Sequence, residues 1–348
     1  MSLTLRPARS ADGAALLALL EKSPAKGQIR IVYTRRPDAY ESFQREAPDA
    51  HVFVWEADGR VVGVVARLCR TYYVDGVPKR GDYICGLKKD PTVTERLDFA
   101  EAFASVTDPT ADFTFCSVLS DNSGLVTSVR KARRVPAELR PLGDLTTFLV
   151  KTGGRGRAAP DRQFRACQPA DESALAAFYA DLSPRHGLFP VGTPWRQVGG
   201  PTLSDFGVVT SASGEITAAG ALWDQTDYRQ YVVVGYSPLL TAARLLNPFF
   251  WLAGYPRLMK PNTVVPLPMA SFLLAKPGDE NALVCGLLRQ ARRRGYAQLV
   301  AGPAKTSPFH EQFQSRRHVS FDSTIYQVLP PDAAPTVPDI SGIQCAQL

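Results

Sequence analysis

The sequence predicts an α+β protein of two similar halves, each a mixed, mostly antiparallel sheet flanked by helices. Three observations predict it. Strand-like and helix-like patterns recur in the same order on either side of a glycine- and arginine-rich stretch at 153–163. The openings of the halves match at a constant offset of 159 positions: Leu5-Arg6, Ala11-Asp12 and Leu16 answer to Phe164-Arg165, Ala170-Asp171 and Leu175. Finally, 348 residues with 45% hydrophobic and 21% charged content describe a globular chain of about two domains.

Each opening reads as a short strand, an Asp N-cap and an amphipathic helix, carried by Leu16, Leu19 and Leu20 in the first half and by Leu175 and Phe178 in the second. Next come hairpins. His51 to Glu56 and Val61 to Leu68 flank the turn Asp58-Gly59, while 206–210 and 216–223 flank Ser213-Gly214. A strand (83–87), a helix (97–106) and a buried strand (113–119) then match 270–275, a helix over 280–294 closed by Gly295, and 298–301. Last strands fall near 144–150 and 323–328. The pattern divides the chain into 1–152, a linker at 153–163, 164–329 and a Pro-, Asp- and Ala-rich tail at 330–348 that reads as flexible, with one sheet expected per half.

Several classes are excluded. No C-x-x-C pair occurs among the six cysteines and only four histidines are present, so metal-finger spacing is absent and no metal is expected. The N-terminal residues lack a basic region followed by an apolar stretch, which makes a reduced, cytoplasmic protein the expectation. The apolar segment 231–258 is broken by Pro238, Arg244, Pro248 and Pro256, too short for a membrane span. It reads as a helical insertion that covers an apolar site or packs against the other half. A net charge of +7 permits an anionic ligand.

This order of elements, occurring twice, resembles the GNAT superfamily of Gcn5-related N-acetyltransferases. Leu5 to Asp12 is similar to the usual first strand and helix entry, 83–91 to the fourth strand running into the acyl-CoA loop, and Ser120-Asp121-Asn122 to the step after the fifth strand. The resemblance implies that the fourth and fifth strands splay apart to admit the pantetheine arm of acetyl-CoA or another acyl-CoA, whose acyl group passes to a small-molecule amine. It implies cofactor-binding roles for Leu87, Lys88, Lys89, Thr94 and Arg96 in the first half and for Leu274 and Lys276 in the second, with Asn122 as a catalytic candidate. The chain departs from the pattern. Thr92 to Asp98 holds no glycine and carries Glu95 and Asp98 where phosphate would lie, and Asp279 and Glu280 open the helix of the second half.

Acyl transfer to an amine needs a base and an acid for the leaving thiolate. No tyrosine follows Asn122 as far as Val135, so the family's usual acid is missing there. The densest polar run, Asp224 to Tyr231, offers Asp224 as base and Tyr231 as acid, or else a polar hairpin turn with a surface Asp–Arg pair. Two alternatives stand beside acyl-CoA chemistry. Fem-type aminoacyl-tRNA-dependent transferases are also fused pairs without an ordinary pyrophosphate loop, and 130–134, 289–294 and Arg316-Arg317 hold cations that could meet tRNA phosphates. The other is a non-catalytic ligand-binding or scaffold protein with decayed sites.

Overall fold

A computed structural model describes residues 3–22, 29–95, 99–120, 137–152, 163–253, 255, 257–330 and 333–348. The first half runs β1 (Thr4–Pro7), α1 (Gly13–Glu21), β2 (Ile29–Thr34), α2 (Ala39–Gln44), β3 (Asp49–Ala57), β4 (Arg60–Val74), β5 (Val77–Lys89), α3 (Phe99–Val106), β6 (Phe113–Leu119) and β7 (Glu138–Lys151). The second runs β8 (Gln163–Ala166), α4 (Glu172–Leu182), β9 (Phe206–Thr210), β10 (Ile216–Trp223), β11 (Gln230–Tyr236), α5 (Pro238–Ala243), α6 (Asn247–Leu252), β12 (Thr263–Val264), β13 (Met269–Ala275), α7 (Glu280–Arg293), β14 (Gln298–Ala301), α8 (Pro308–Gln314) and β15 (His318–Leu329). Most of the linker expected at 153–163 lies outside the described residues, and Gln163 already belongs to β8.

The repeat in the openings is built from the same contacts twice. Arg6 donates to both carboxylate oxygens of Asp12 at 2.8 and 3.0 Å, and Arg165 does the same to Asp171 at 2.5 and 2.7 Å. Neither aspartate caps the first turn of its helix, as the sequence suggested. Each instead reaches back to accept the amide of the residue three before it, Arg9 at 2.7 Å and Gln168 at 2.8 Å, closing a 3-10 turn that feeds the helix.

The expectation of one sheet per half is corrected. A single 12-stranded sheet runs β1-β3-β4-β5-β6-β15-β7-β14-β13-β10-β9-β8, an order that reads alike from both ends once counterparts are matched. It is continuous because the halves exchange their last strands: β15 pairs antiparallel with β6, β7 with β14, and β15 with β7 from His318↔Val150 to Leu329↔Glu138. The exchange covers an edge that each half would otherwise present. A smaller sheet, β12-β11-β2, also joins the halves, since β2 comes from the first and sets Tyr33 opposite Tyr231.

A further expectation fails. The tail is not flexible over 333–348: Val337, Ile340, Ile343 and Ala346 are nearly fully buried, and Ile340 and Ile343 join a core cluster with Tyr72, Phe113 and Phe115. Four apolar side chains in a Pro- and Asp-rich background were too sparse to read as a core segment, yet each is buried. The insertion after β11 packs on the first half, as expected, through its inner face: Leu240 and Leu258 cluster with Ile29 and Ile31 of β2, and Lys151 of β7 donates to the Trp251 carbonyl. Leu240 and Leu258 settle on the small sheet with Tyr236 and Val265, while Leu239, Leu245, Phe249 and Leu252 point to solvent.

Candidate active site

Each half contains a place where two parallel strands begin together and part. In the first half β5 and β6 pair from Gly81↔Phe113 to Ile84↔Cys116; beyond that β5 stays with β4 and β6 with β15. In the second half β13 and β14 pair only at Met269↔Val300 and Ala270↔Ala301, after which β13 continues to Ala275. Both outer strands bulge just past the parting point. The register between β4 and β5 slips between Val64 and Ala66, and that between β10 and β13 between Ala219 and Ala221. A residue in the left-handed region accompanies each slip: Gly86 at φ 66° and Phe272 at φ 53°. Glycine takes this backbone freely, whereas a Phe there is a conformational cost that packing must hold in place. Phe272 is fully buried among Phe189, Phe206 and Trp223.

The second gap is filled by the chain itself. The Gln344 carboxamide lies against Leu273, accepting its N–H at 3.2 Å and donating to its carbonyl at 3.3 Å. Gln344 also bridges to Pro303, the Cys345 amide donates to the Gly302 carbonyl at 2.8 Å, and Gln225 donates to the Ala346 carbonyl at 2.9 Å. All seven residues of β13 are buried. In the first gap the register makes Leu87 the counterpart of Leu273. There Ile84, Cys85 and Gly86 are half-buried and Leu87 is exposed, and among the described residues no side chain forms a hydrogen bond to the Leu87 main chain.

Beside this open gap lies a buried charge cluster in the seam between halves. The Phe43 ring of α2 backs Gly86, since a Cβ there would meet its edge at 3.0 Å, and the Arg35 guanidinium lies over the ring, 3.6 Å from its centre. Arg35 donates to Glu46 at 2.9 Å, Arg229 of the second half approaches the same carboxylate at 3.5 Å, and the Tyr33 hydroxyl donates to it at 3.5 Å. Burial alone would raise the Glu46 pKa, but Arg35 and Arg229 outweigh it and hold the carboxyl below its ordinary range. Burial pushes Tyr33 well above the usual phenol value, so it stays neutral, and it pushes the Cys85 thiol up to about 12. The Tyr33 and Tyr231 rings lie 5.4 Å apart. The Nε atoms of Arg35 and Arg229 are buried without a hydrogen-bond partner, leaving donor capacity in the seam.

Comparison with solved structures places this arrangement. Saccharomyces cerevisiae N-myristoyltransferase with bound myristoyl-CoA is similar over 99% of this chain and 84% of its own, at 11% identity and a TM-score of 0.58. An Enterococcus faecalis protein described as a probable N-acyltransferase covers 94% of this chain and 72% of its own, at 8% identity and TM-score 0.52. A GCN5-related glucosamine N-acetyltransferase region of a fungal multi-domain β-N-acetylglucosaminidase reaches TM-score 0.62 at 13% identity, with 94% of this chain matching 38% of that one. The chain carries the GNAT fold. No protein-family model matches the sequence, and no curated protein does.

Within this GNAT frame the residues singled out in the sequence divide sharply. Leu87 borders the open gap. Lys88 donates to the Leu20 carbonyl at the end of α1, and burial lowers its pKa; Lys89 donates to the Glu95 carbonyl at 2.7 Å. Lys88 thus ties β5 to α1, and Lys89 clamps the loop at 90–95. Asp90 organises that loop by accepting from Lys22 at 2.6 Å and from the Thr92 amide and hydroxyl at 2.9 and 2.7 Å, which holds its pKa well below the carboxylate range. Thr94 is exposed. Arg96 and Asn122 lie outside the described residues. In the second half Leu274 is buried in the core and Lys276 pairs with Glu215, so neither faces an open gap.

Tyr231 enters the seam cluster; Asp224 does not. Asp224 is exposed, its carboxylate accepting from the Thr226 amide and hydroxyl at 3.0 and 2.6 Å and from Tyr296 at 2.7 Å, the partners of a capped turn. Glu46, Arg35 and Tyr33 were missed. Their only sequence signal was the alternation Ile29, Ile31, Tyr33, Arg35, and what it faces is set by pairing with a strand some 200 positions away. Sheet register likewise gathers possible ligand atoms of Asp49, His51 and Cys69 within 4.8 Å of one another, where sequence spacing showed no metal pattern. Arg80 stands 3.8 Å from Asp49 there, a charge that opposes a cation.

Proposed function

We propose that the chain is an N-acyltransferase with one working site: an acyl-CoA lies in the gap between β5 and β6, and an amine reaches its thioester from the seam between the halves. The single observation that carries this reading is the Gln344 carboxamide on Leu273. An amide group already completes the second gap, and the matching backbone position, Leu87, is open to an amide from outside, such as those of a pantetheine arm.

In the reaction the amine nitrogen attacks the thioester carbonyl, the carbon–sulfur bond breaks, an amide forms, and the amine's proton ends on the CoA thiol. Tyr231 is the proposed proton relay: it gives its hydroxyl proton to the leaving sulfur and takes the amine's proton in its place. Tyr33, neutral and bonded to Glu46, packs its ring tilted against that of Tyr231, and the Glu46 carboxylate holds Arg35 and Arg229 in place. Asp224 is not given a catalytic role, because its oxygens are committed to the turn. The loop at 90–95 lacks glycine and is held by Lys89 and Lys22, so the pantetheine gap rather than a pyrophosphate cradle would supply most of the donor affinity.

Calorimetric titration with acetyl-CoA and longer acyl-CoA donors tests this. One site per chain is expected, lost at least tenfold in Cys85→Phe, which fills the open gap, and retained in Gln344→Ala. Two sites per chain, or no heat with any donor, would overturn the reading; the latter would leave a scaffold. Thiol release in the presence of amines then separates transfer from binding alone.

A further inference from the structure

The insertion after β11 is the most apolar exposed surface of the described residues. Leu239, Leu245, Phe249 and Leu252 are 69–84% exposed, and Leu246, Phe250 and Tyr255 join them, spread over α5, the 3-10 turn at Arg244–Leu246, α6 and the residues just after it. Monomeric proteins rarely leave such a patch bare unless something covers it. Its charge is one-sided. No Asp or Glu occurs between Asp227 and Asp279, while Arg244, Arg257 and Lys260 do.

Its own arginines and two cations from elsewhere lie over its aromatic rings: Arg257 at 4.6 Å and Lys151 at 3.9 Å from the Trp251 ring centre, Arg244 at 5.7 Å from that of Tyr236, and Arg317 at 5.4 Å from that of Tyr255. An open groove of about 940 Å³ runs along α5 between Arg30 and Arg244, with Tyr236, Thr241 and Leu245 on its walls. Exposed apolar side chains beside cation-capped aromatic rings, on a segment with no acidic residue, match the components of an anionic lipid interface.

We infer that the α5–α6 hairpin is a peripheral docking surface for anionic lipid, with Leu245, Phe249 and Leu252 entering the acyl layer and Arg30, Arg244 and Arg257 meeting headgroups. No helix of the described residues is long and apolar enough to cross a membrane, so the contact is one of lying on the surface. The inference does not depend on the acyltransferase reading.

Sedimentation with vesicles of phosphatidylcholine alone and of phosphatidylcholine with phosphatidylglycerol tests it on the full chain. Binding to the anionic vesicles is expected to exceed that to neutral ones at least tenfold and to fall as salt rises. The exposed triple variant Leu245→Asp, Phe249→Asp, Leu252→Asp should lose at least tenfold while keeping its melting temperature; Arg244→Gln with Arg257→Gln should lose less. Absence of anionic-vesicle binding, equal binding to both lipids, or unchanged binding by the triple variant would overturn the proposal. So would a concentration-dependent dimer in gel filtration that the triple variant abolishes, because a second copy would then cover the face.

Discussion

The two gaps of this molecule began as the same device and now differ in what fills them. Both have a parallel pair that parts after a few residues, a bulge on the outer strand and a left-handed residue at the bulge. In the second, Phe272 and the segment 337–347 convert the opening into core; in the first, Gly86 and the half-buried Cys85 keep it available. The contrast teaches that a repeat can keep its topology in both copies while spending one of them on stability. It also explains why Phe is tolerated at φ 53°: its neighbours have no ligand to make room for.

The largest expected effect lies in the seam that serves the open gap. Glu46→Gln should destabilise by about 3–5 kcal/mol, since it leaves Arg35 and Arg229 buried without their counter-charge. Urea unfolding measures it. Because folding lowers the Glu46 pKa, its contribution is complete above the usual 4.5 and fades as pH falls through the folded value, so the gap between wild type and variant should shrink in acid and hold at neutral pH. A difference that widened in acid would mean the carboxyl is protonated in the fold.

Next comes the plug. Ile343→Ala removes a fully buried side chain from the segment that closes the second gap and should cost about 2–5 kcal/mol, with acyl-CoA affinity unchanged. Gln344→Ala leaves both polar groups of Leu273 without their partner and should cost about 1–3 kcal/mol. If either variant instead gained a second donor site per chain, the second gap would be a latent site rather than a retired one. On turnover, Tyr231→Phe should lower the rate about 10²-fold, and Asp224→Asn should leave it within twofold; steady-state kinetics with a single donor compares them.

Much of the fold was legible. The strands at 206–210, 216–223 and 298–301 fall where alternation and turn residues put them, and Arg6, Asp12, Arg165 and Asp171 announced the repeat because the contact is local. What was not legible depends on distant pairing. Nothing near Leu149 or Phe321 tells which neighbour β7 or β15 will choose, so the single sheet was unreadable. The same holds for the site: Leu87 and Tyr231 lie on strands that the pattern identified, but Glu46 reads as an ordinary surface residue until Arg229 arrives from the other half.

The exchange of β7 and β15 has a consequence for assembly. A cut within 153–162 would leave each fragment holding a strand that belongs in its neighbour's sheet and lacking the one that completes its own. Neither fragment should fold alone, yet the two expressed together should find each other and rebuild the whole, with a reporter split at that point reading out the reunion.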